Sequence, residues 1–211
     1  MKIVLDFDDT IFNTYQLMQE VLAVFNNLGF QEEQFWNAYK ECKKRAGDFD
    51  KEILINLLSE LKSFNKEKVG AEIDSIISRS RNFVYSDFFD FVSGFDKKDL
   101  ILLSFGTTDF QRTKIENSGI VSYFEKVIIT SNDKTIDLEG IFKKSANEKI
   151  FFIEDKGGQI DKVKKKLPQI IAMKMERPQG GHINTESKLA DHIVKDLNEA
   201  RDIIKLLAPF S

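Results

Sequence analysis

The sequence has a single cysteine, no long apolar run and no signal-peptide pattern. Cys42 has no second cysteine with which to form a disulfide, which favours a reducing compartment. No stretch approaches the ~18 consecutive apolar residues that span a bilayer. The apolar run after Lys2 is too short for a signal peptide, because acidic residues begin at Asp6. We therefore expect a soluble, cytoplasmic protein that is not associated with a membrane.

The sequence also lacks a large excess of charge of either sign. It has 31 Lys and Arg residues against 34 Asp and Glu residues, for a net charge of -3. Such a chain has no broad basic field of the kind that binds nucleic acid. Its two histidines, His182 and His192, do not form a pair at a recognisable metal-ligand spacing. We expect no nucleic-acid partner, and the sequence does not indicate an oligomeric state.

Apolar residues are abundant enough for a large core. They make up 42% of the 211 residues, and 19 of them are Phe, which supplies much apolar area per residue. This length suits one α/β domain, or a core with a smaller lobe.

Short apolar runs alternate with helical patterns in the second half of the chain. This alternation predicts βαβ units, and hence a doubly wound α/β fold with a parallel sheet and helices on both faces. Asp109 is placed to cap one of the helices. The predicted strands cover residues 3–5, 100–103, 127–129, 150–153, 170–175 and 193–194, and the helices 110–117, 135–146, 159–167 and 198–207.

Between the first two predicted strands the pattern is helical throughout. Apolar residues at helical spacing predict helices over residues 13–28, 31–45, 50–61 and 66–85. We therefore expect a helical lobe at about residues 14–86, inserted into an α/β core formed by residues 1–13 and 87–211.

Polar and charged side chains follow the predicted strands. Ligands of open α/β sheets bind outside the carboxyl ends of the strands, so these side chains should meet at one edge. Burying so many charges is costly unless they are paired, and Mg²⁺ with a substrate phosphate would pair them. The residues are Asp6-Phe7-Asp8-Asp9-Thr10, then Ser104, Gly106 and Thr107, then Lys134, then Glu154-Asp155.

These strand ends resemble the motifs of the haloacid dehalogenase superfamily. Residues 6–10 are similar to its Asp-x-Asp-x-Thr motif, and residues 102–106 to its second motif, a strand ending in Ser or Thr. Lys134 matches the third-motif lysine, and residues 152–155 resemble the fourth motif. The helical insert lies where that family has a helical cap. The resemblance covers nearly the whole chain, with the elements in the family's order.

The resemblance implies a role for each motif residue. Asp6 would be the nucleophile and Asp8 the general acid and base. Mg²⁺ would be bound by Asp6, by the main-chain carbonyl of Asp8 and by an acid of the fourth motif, with Asp155 as the first choice and Glu154 as a second ligand or an outer acceptor.

Further residues would bind the phosphoryl group. Ser104 and the amides of Phe105 and Gly106 would hold its oxygens, and Lys134 would offset negative charge. Lys143 or Lys144 are alternatives to Lys134, because Lys134 lacks the Gly-Lys-Pro context that is common in capped members.

The function that follows is Mg²⁺-dependent hydrolysis of a phosphorylated small molecule through an aspartyl-phosphate. A phosphosugar mutase on the same scaffold and a non-catalytic phosphate-binding module are the alternatives. Dehalogenation is disfavoured, because that branch of the family lacks the second Asp, here Asp8.

Overall fold

The computed structural model describes residues 1–106, 108–145 and 148–208, and its centre is a six-stranded parallel sheet. The strand order is β3-β2-β1-β4-β5-β6, so the first strand lies in the middle and the chain winds outward in both directions. The strands are β1 (Lys2–Leu5), β2 (Leu100–Phe105), β3 (Lys126–Thr130), β4 (Ile150–Glu154), β5 (Ile171–Met175) and β6 (His192–Val194).

Helices cover both faces of this sheet, as the alternating pattern predicts. Val4 faces a cluster formed with α7 and α8, whereas Ile3 and Leu5 face the larger cluster that includes α1, α5, α6 and α9. Because both faces are buried, the central strands consist mainly of apolar residues. The helices are α1 (Thr14–Asn27), α2 (Glu32–Ala46), α3 (Lys51–Leu61), α4 (Lys66–Ser78), α5 (Asp87–Ser93), α6 (Thr108–Asn117), α7 (Lys134–Lys144), α8 (Gly157–Lys166) and α9 (Leu197–Leu207).

The first four helices occupy the interval of the predicted insert. Asn13, Asp50 and Asn65 begin α1, α3 and α4, since each side chain accepts a hydrogen bond at 2.9 Å from an amide three residues later. None of the described helices has the length and apolar character that crossing a membrane requires. The boundaries of the insert, at residues 14 and 86, remain a prediction.

The structure confirms the predicted strands and corrects three details of the helices. The helix predicted over residues 66–85 ends at Ser78 and is followed by a 3₁₀ turn, Ser80–Phe83. The Ser80 hydroxyl donates to the carbonyl of Ile77 at 2.7 Å, a local bond of the kind that competes with helix continuation.

Helix α6 begins at Thr108, so Asp109 lies in its first turn and is not its N-cap. Helix α5 was not predicted, although Phe88 and Phe91 are buried at helical spacing within it. Ala146, the predicted end of α7, lies outside the described residues.

Strand register brings three strand ends level with one another. Leu5 lies opposite Leu102 in β2 and opposite Ile153 in β4. The next residue, Asp6, is held by a 2.9 Å bond from its amide to the carbonyl of Ile153. Asp6 and Glu154 therefore lie at the same edge of the sheet, with Ser104 one residue further along β2.

Arg177, in the loop after β5, joins segments that are distant in sequence. Its guanidinium donates to both oxygens of Asp87 at 2.8 and 3.0 Å and to the carbonyl of Thr10 at 2.8 Å. It also lies over the ring of Tyr85, at 4.0 Å from the centroid. Asp87 accepts a further bond from the amide of Leu197. The turn after β1 is thereby tied to α5, α9 and the loop.

We expect Arg177→Met to lower the free energy of unfolding by about 3 kcal/mol, because removing one partner of a buried ion pair leaves the other charge uncompensated. Urea denaturation followed by circular dichroism measures this change. Arg112→Met, on the exposed side of α6, is the control and should change stability by less than ~0.5 kcal/mol. Equal effects of the two substitutions on the free energy of unfolding would show that the Arg177–Asp87 pair does not stabilise the fold.

Candidate active site

Three carboxyl groups and one lysine form a buried cluster at the carboxyl edge of the sheet. Asp6, Glu154 and Asp155 each offer an oxygen, and these oxygens all lie within 4.8 Å of one another. The Lys134 ammonium donates to Asp6 Oδ1 at 2.5 Å and to Glu154 Oε2 at 2.7 Å. All four residues are at most 4% exposed. This edge therefore brings four charged groups together at the ends of strands that are mainly apolar.

The start of α7 positions Lys134. Asp133 is the N-cap, and its carboxylate accepts bonds from the amide and the hydroxyl of Thr135 at 2.9 and 2.6 Å. Lys134 is thus the first helical residue, with its side chain in the cluster. Lys143 and Lys144, the alternatives from the sequence, are exposed in the last turn of the same helix.

The acids exceed the cations in this cluster, and their pKa values reflect the imbalance. Burial, and then the negative charge of Glu154, raise the pKa of Asp6 to about 7. Burial and the charges of Glu154 and Asp6 hold the pKa of Asp155 well above its usual range. Burial also opposes ionisation of Glu154, but the Lys134 and Lys156 ammonium groups keep its pKa below the usual value. A bound cation would remove the repulsion among these carboxylates.

The free oxygens of the cluster fit a hard divalent cation. Asp155 Oδ1 is buried and has no hydrogen-bond partner among the described residues. Glu154, in contrast, accepts from Lys134 through Oε2 and from the amide of Lys156 at 3.1 Å through Oε1. Unpaired carboxylate oxygens are the ligands that Mg²⁺ prefers. Asp155 is therefore better placed than Glu154 to bind a metal directly.

Asp8 lies apart from this cluster, in a set of hydrogen bonds of its own. Lys114 Nζ and Thr14 Oγ1 donate to its Oδ1 at 2.5 and 2.7 Å, and Gln111 Nε2 donates to its Oδ2 at 2.6 Å. Burial opposes ionisation, but the Lys114 ammonium and these hydrogen bonds hold the pKa of Asp8 below its usual range. Asp8 is thus a carboxylate whose position and charge are fixed by three side chains.

Ser104 is joined to Asp8 through Gln111. The same Gln111 amide donates to Ser104 Oγ at 2.6 Å, which leaves the serine hydroxyl hydrogen available to donate elsewhere. The amide of Gly106 donates to the carbonyl of Thr130 at 3.1 Å, so it is engaged by the neighbouring strand. Phe105 is partly exposed, with its ring 5.7 Å from Lys156 Nζ. Thr107 lies outside the described residues.

Gly106 is also a point of close approach between the core and the helical segment, which is the run of helices α1 to α4. A side-chain Cβ built at this residue would lie 2.7 Å from Asp48 Oδ2, in the loop between α2 and α3. The sequence signal was a glycine after a strand, which suggested phosphate binding. The structure shows that glycine also makes room there for a carboxylate.

The sequence interpretation missed four polar residues of this site, which are Thr14, Gln111, Lys114 and Lys156. Lys114 and Gln111 lie three residues apart on α6, on the side that faces Asp8. Lys156 lies close enough to the acids for its charge to lower the pKa of Asp6. Its position directly after Glu154-Asp155 was a usable signal. Nothing local in the sequence distinguishes Lys114 from the other lysines.

A cavity of about 420 Å³ borders this edge of the sheet. Asp8, Asp155 and Lys156 line its inner part, and residues of α1 and α2 line the opposite side. Its volume lies within the range of small-molecule sites, about 300–1,000 Å³. The arrangement therefore provides buried acids, fixed cations and room for a small ligand.

Comparison with known proteins gives similarity in structure but not in sequence. No protein-family model and no curated protein matches the sequence. A candidate haloacid dehalogenase-like hydrolase from Burkholderia xenovorans is 16% identical, with a TM-score of 0.73 over 95% of this chain and 96% of that one. The L-2-haloacid dehalogenase of Xanthobacter autotrophicus is 15% identical, with a TM-score of 0.69 over 98% and 99% of the two chains.

A third similar structure, a candidate HAD-hydrolase of Bacillus subtilis, is bound to magnesium. It is 14% identical, with a TM-score of 0.63 over 96% of this chain and 97% of that one. These identities are too low to transfer an activity, but the matches extend over nearly the full length of each chain. The chain has the fold of the haloacid dehalogenase-like hydrolases.

Proposed function

We propose that this protein is a Mg²⁺-dependent phosphomonoester hydrolase that acts on a phosphorylated small molecule through an aspartyl-phosphate on Asp6. One observation carries the proposal. Asp6, its partner Lys134 and the unpaired oxygen of Asp155 lie together at the sheet edge, and Asp155 and Asp8 line the same cavity. A nucleophile, a second carboxylate and a metal-binding acid are the groups that this reaction requires.

Asp6, Asp155 and the main-chain carbonyl of Asp8 would hold the metal. Glu154 would not bind the metal directly, because both of its oxygens already accept hydrogen bonds. It would instead hold Lys134 in position. When bound, Mg²⁺ supplies positive charge that offsets the negative charge of the phosphoryl oxygens and the acids.

The residues of the chain account for the two chemical steps. An Asp6 oxygen attacks phosphorus and the bond to the leaving oxygen breaks. That oxygen takes a proton from Asp8, which receives it from the bound substrate monoanion, because the site without substrate keeps Asp8 ionised. Asp8, now ionised, takes a proton from water as the water oxygen attacks phosphorus, which releases phosphate and restores the Asp6 carboxylate. Lys134 offsets charge on Asp6, and the Ser104 hydroxyl is free to donate to a phosphoryl oxygen.

Dehalogenation is the first alternative, because one of the similar structures is an L-2-haloacid dehalogenase. A halide leaves as an anion and needs no proton. Asp8 lines the cavity, where it could exchange a proton with a leaving oxygen, and its presence there favours phosphate esters. Incubation with 2-chloropropionate should release no chloride.

A phosphosugar mutase would use the same residues and return the phosphoryl group to a sugar, so release of inorganic phosphate from a sugar phosphate would argue against it. A non-catalytic phosphate-binding module would need neither a nucleophile nor an acid paired with it. We regard both as less well supported than hydrolysis.

We expect Asp6→Asn to lower kcat for p-nitrophenyl phosphate by roughly 10³-fold or more, because an amide oxygen is a far weaker nucleophile than a carboxylate. Phosphate release measured with Mg²⁺ and with EDTA tests this expectation, and only the Mg²⁺ reaction of the wild type should proceed. Asp96→Asn, at an exposed surface ion pair with Lys98, is the matched control and should retain full activity. An Asp6→Asn protein as active as the wild type would exclude Asp6 as the nucleophile.

Mg²⁺ should stabilise the folded protein more strongly at high pH than at low pH. In the metal-free protein the raised pKa values of Asp6 and Asp155 mean that the folded state keeps protons which the unfolded state releases. The stabilisation by these bound protons is complete below about pH 3.8, the ordinary pKa of an aspartate. It is lost as the pH rises towards 7. Metal binding near pH 8 displaces fewer protons than it does near pH 5.5, and it relieves more of the repulsion among the carboxylates.

Differential scanning fluorimetry measures the effect. We expect Mg²⁺ at ~100 times its Kd to raise the melting temperature by roughly 5 °C near pH 8, and by less near pH 5.5. Asp155→Asn should abolish the response and leave the metal-free protein at least as stable as the wild type. A response to Mg²⁺ that persists in Asp155→Asn would exclude Asp155 as a ligand.

Lys114→Met should shift the pH dependence of kcat. Lys114 keeps the pKa of Asp8 low, so its removal raises that pKa, and the ionised form needed to activate water is then lost at higher pH. We expect the acidic limb of the kcat profile to move up by roughly one to three pH units. Lys126→Met, on the exposed start of β3, should leave the profile unchanged. If the acidic limb does not move in Lys114→Met, then Lys114 does not control the pKa of Asp8.

A further inference from the structure

We propose that the phosphomonoester hydrolysed at this site carries a planar, unsaturated ring close to its phosphate. This inference rests on the proposed hydrolase function and specifies the substrate class. It comes from the walls of the cavity, not from the residues that would perform the chemistry.

Aromatic side chains form a continuous wall of the cavity. The rings of Trp36 and Tyr39 on α2 have centroids 5.7 Å apart, and Tyr39 lies 6.1 Å from Phe49 in the loop that follows. Phe49 in turn contacts Phe110 of α6, with centroids 4.9 Å apart. All four rings line the cavity, and Trp36, Tyr39 and Phe110 are only half-buried. The wall therefore presents aromatic surface to whatever occupies the cavity.

The inner end of this wall adjoins the residue proposed as the general acid and base. The Phe110 ring lies 5.2 Å from Lys114 Nζ, and the same ammonium donates to Asp8. A substrate whose phosphate lies between Asp6 and Asp8 would therefore place the next part of its structure against Phe110 and Phe49. The group attached to the phosphate meets rings before it reaches the rest of the cavity.

Most polar groups near this inner end are engaged by the protein, and the two oxygens without a partner among the described residues, Asp9 Oδ1 and Gln111 Oε1, are buried and not exposed to the cavity. Asp8 accepts from three side chains, and Asp9 Oδ2 accepts from the amide of Gly181 at 2.8 Å. A polyhydroxylated body such as a sugar needs several hydrogen-bond partners at this depth, whereas a planar ring needs only an aromatic surface. Lys43, Asp48, Gln179 and His182 also line the cavity and would suit polar substituents on such a ring.

Lys43 adds a further preference for π-systems. Its ammonium lies 4.5 Å from the centroid of the Tyr39 ring, a cation–π contact made within the cavity wall. A ring packed beside Tyr39 would share that ammonium, while a saturated ring of equal size would gain only apolar burial. The wall therefore distinguishes planar from saturated bodies of similar volume.

Two substrates distinguish a preference for a planar ring from a preference for any ring of that size. Benzyl phosphate and cyclohexylmethyl phosphate have the same linkage and similar size, and both leave as primary alcohols, but only the first contains a planar ring. We expect kcat/KM for benzyl phosphate to exceed that for cyclohexylmethyl phosphate by about two- to tenfold, mostly through a lower KM, since aromatic pairs gain this much beyond their buried area.

The wall residues are then tested by substitution. Phe110→Leu and Tyr39→Leu each remove a ring from the wall and keep most of its apolar volume, so each should bring the ratio of the two kcat/KM values closer to one. Phe64→Leu is the matched control. Phe64 is a half-buried aromatic residue of the helical segment that packs on Phe25 and Phe30 and does not line the cavity. It should leave the ratio unchanged.

The outcomes distinguish this inference from the function on which it rests. Phosphate release from both compounds with equal efficiency, or with a preference for the saturated ring, overturns the inference and leaves the hydrolase intact. A preference for benzyl phosphate that both wall variants retain also overturns it, because the rings would not be its cause. Release from neither compound, nor from p-nitrophenyl phosphate, overturns both.

Discussion

The contact of one buried ammonium with two carboxylates is the constraint on which the site depends. β1 and β4 run side by side in the middle of the sheet, and each ends in an acid at the same level. Those acids would repel one another in a medium that solvates them poorly. Lys134, fixed by the Asp133 cap at the start of α7, lies within 2.7 Å of both and makes the arrangement tolerable. Asp155 remains with an unpaired oxygen, and the proposed metal would supply the positive charge that this edge lacks.

The apolar character of the sheet and the polarity of its edge have a common cause. Helices cover both faces, so the strands are mainly apolar, and the polar side chains that bear on the site lie where β1, β2 and β4 end. The six parallel strands all point the same way, which collects those ends on one side of the molecule. The helical segment then lies across that side and contributes Trp36, Tyr39 and Phe49 to the cavity. The core thus contributes most of the charged residues of the cavity, and the helical segment most of its aromatic rings.

Much of the fold and part of the site could be read from the sequence, because both depend on local pattern. Apolar runs of β-branched residues marked the strands, and Asp6, Ser104, Lys134 and Glu154 directly follow or begin elements that periodicity located. The two hydrogen-bond partners of Asp8 that are distant in sequence could not be predicted in this way. Gln111 and Lys114 are 103 and 106 residues away from it, and they meet it only because α6 packs against the turn after β1. The engagement of the Gly106 amide by Thr130 also depends on strand pairing. The end of α4 at Ser78 was missed because a serine side chain, not a change in hydrophobic spacing, ends the helical pattern.

The bonds of Arg177 also bear on the order in which the molecule takes shape. They join residues separated by 167 and 90 positions along the chain, and Asp87 reaches 110 positions further to Leu197. The central strand pairs with segments that begin about a hundred residues later, so β1 leaves the ribosome long before its partner strands exist. Local helices in residues 14–78 can form early, whereas the turn that carries Asp6 and Asp8 acquires its final geometry only after β4 and the loop with Arg177 have been synthesised. A segment made before most of the sheet is therefore among the last to become native.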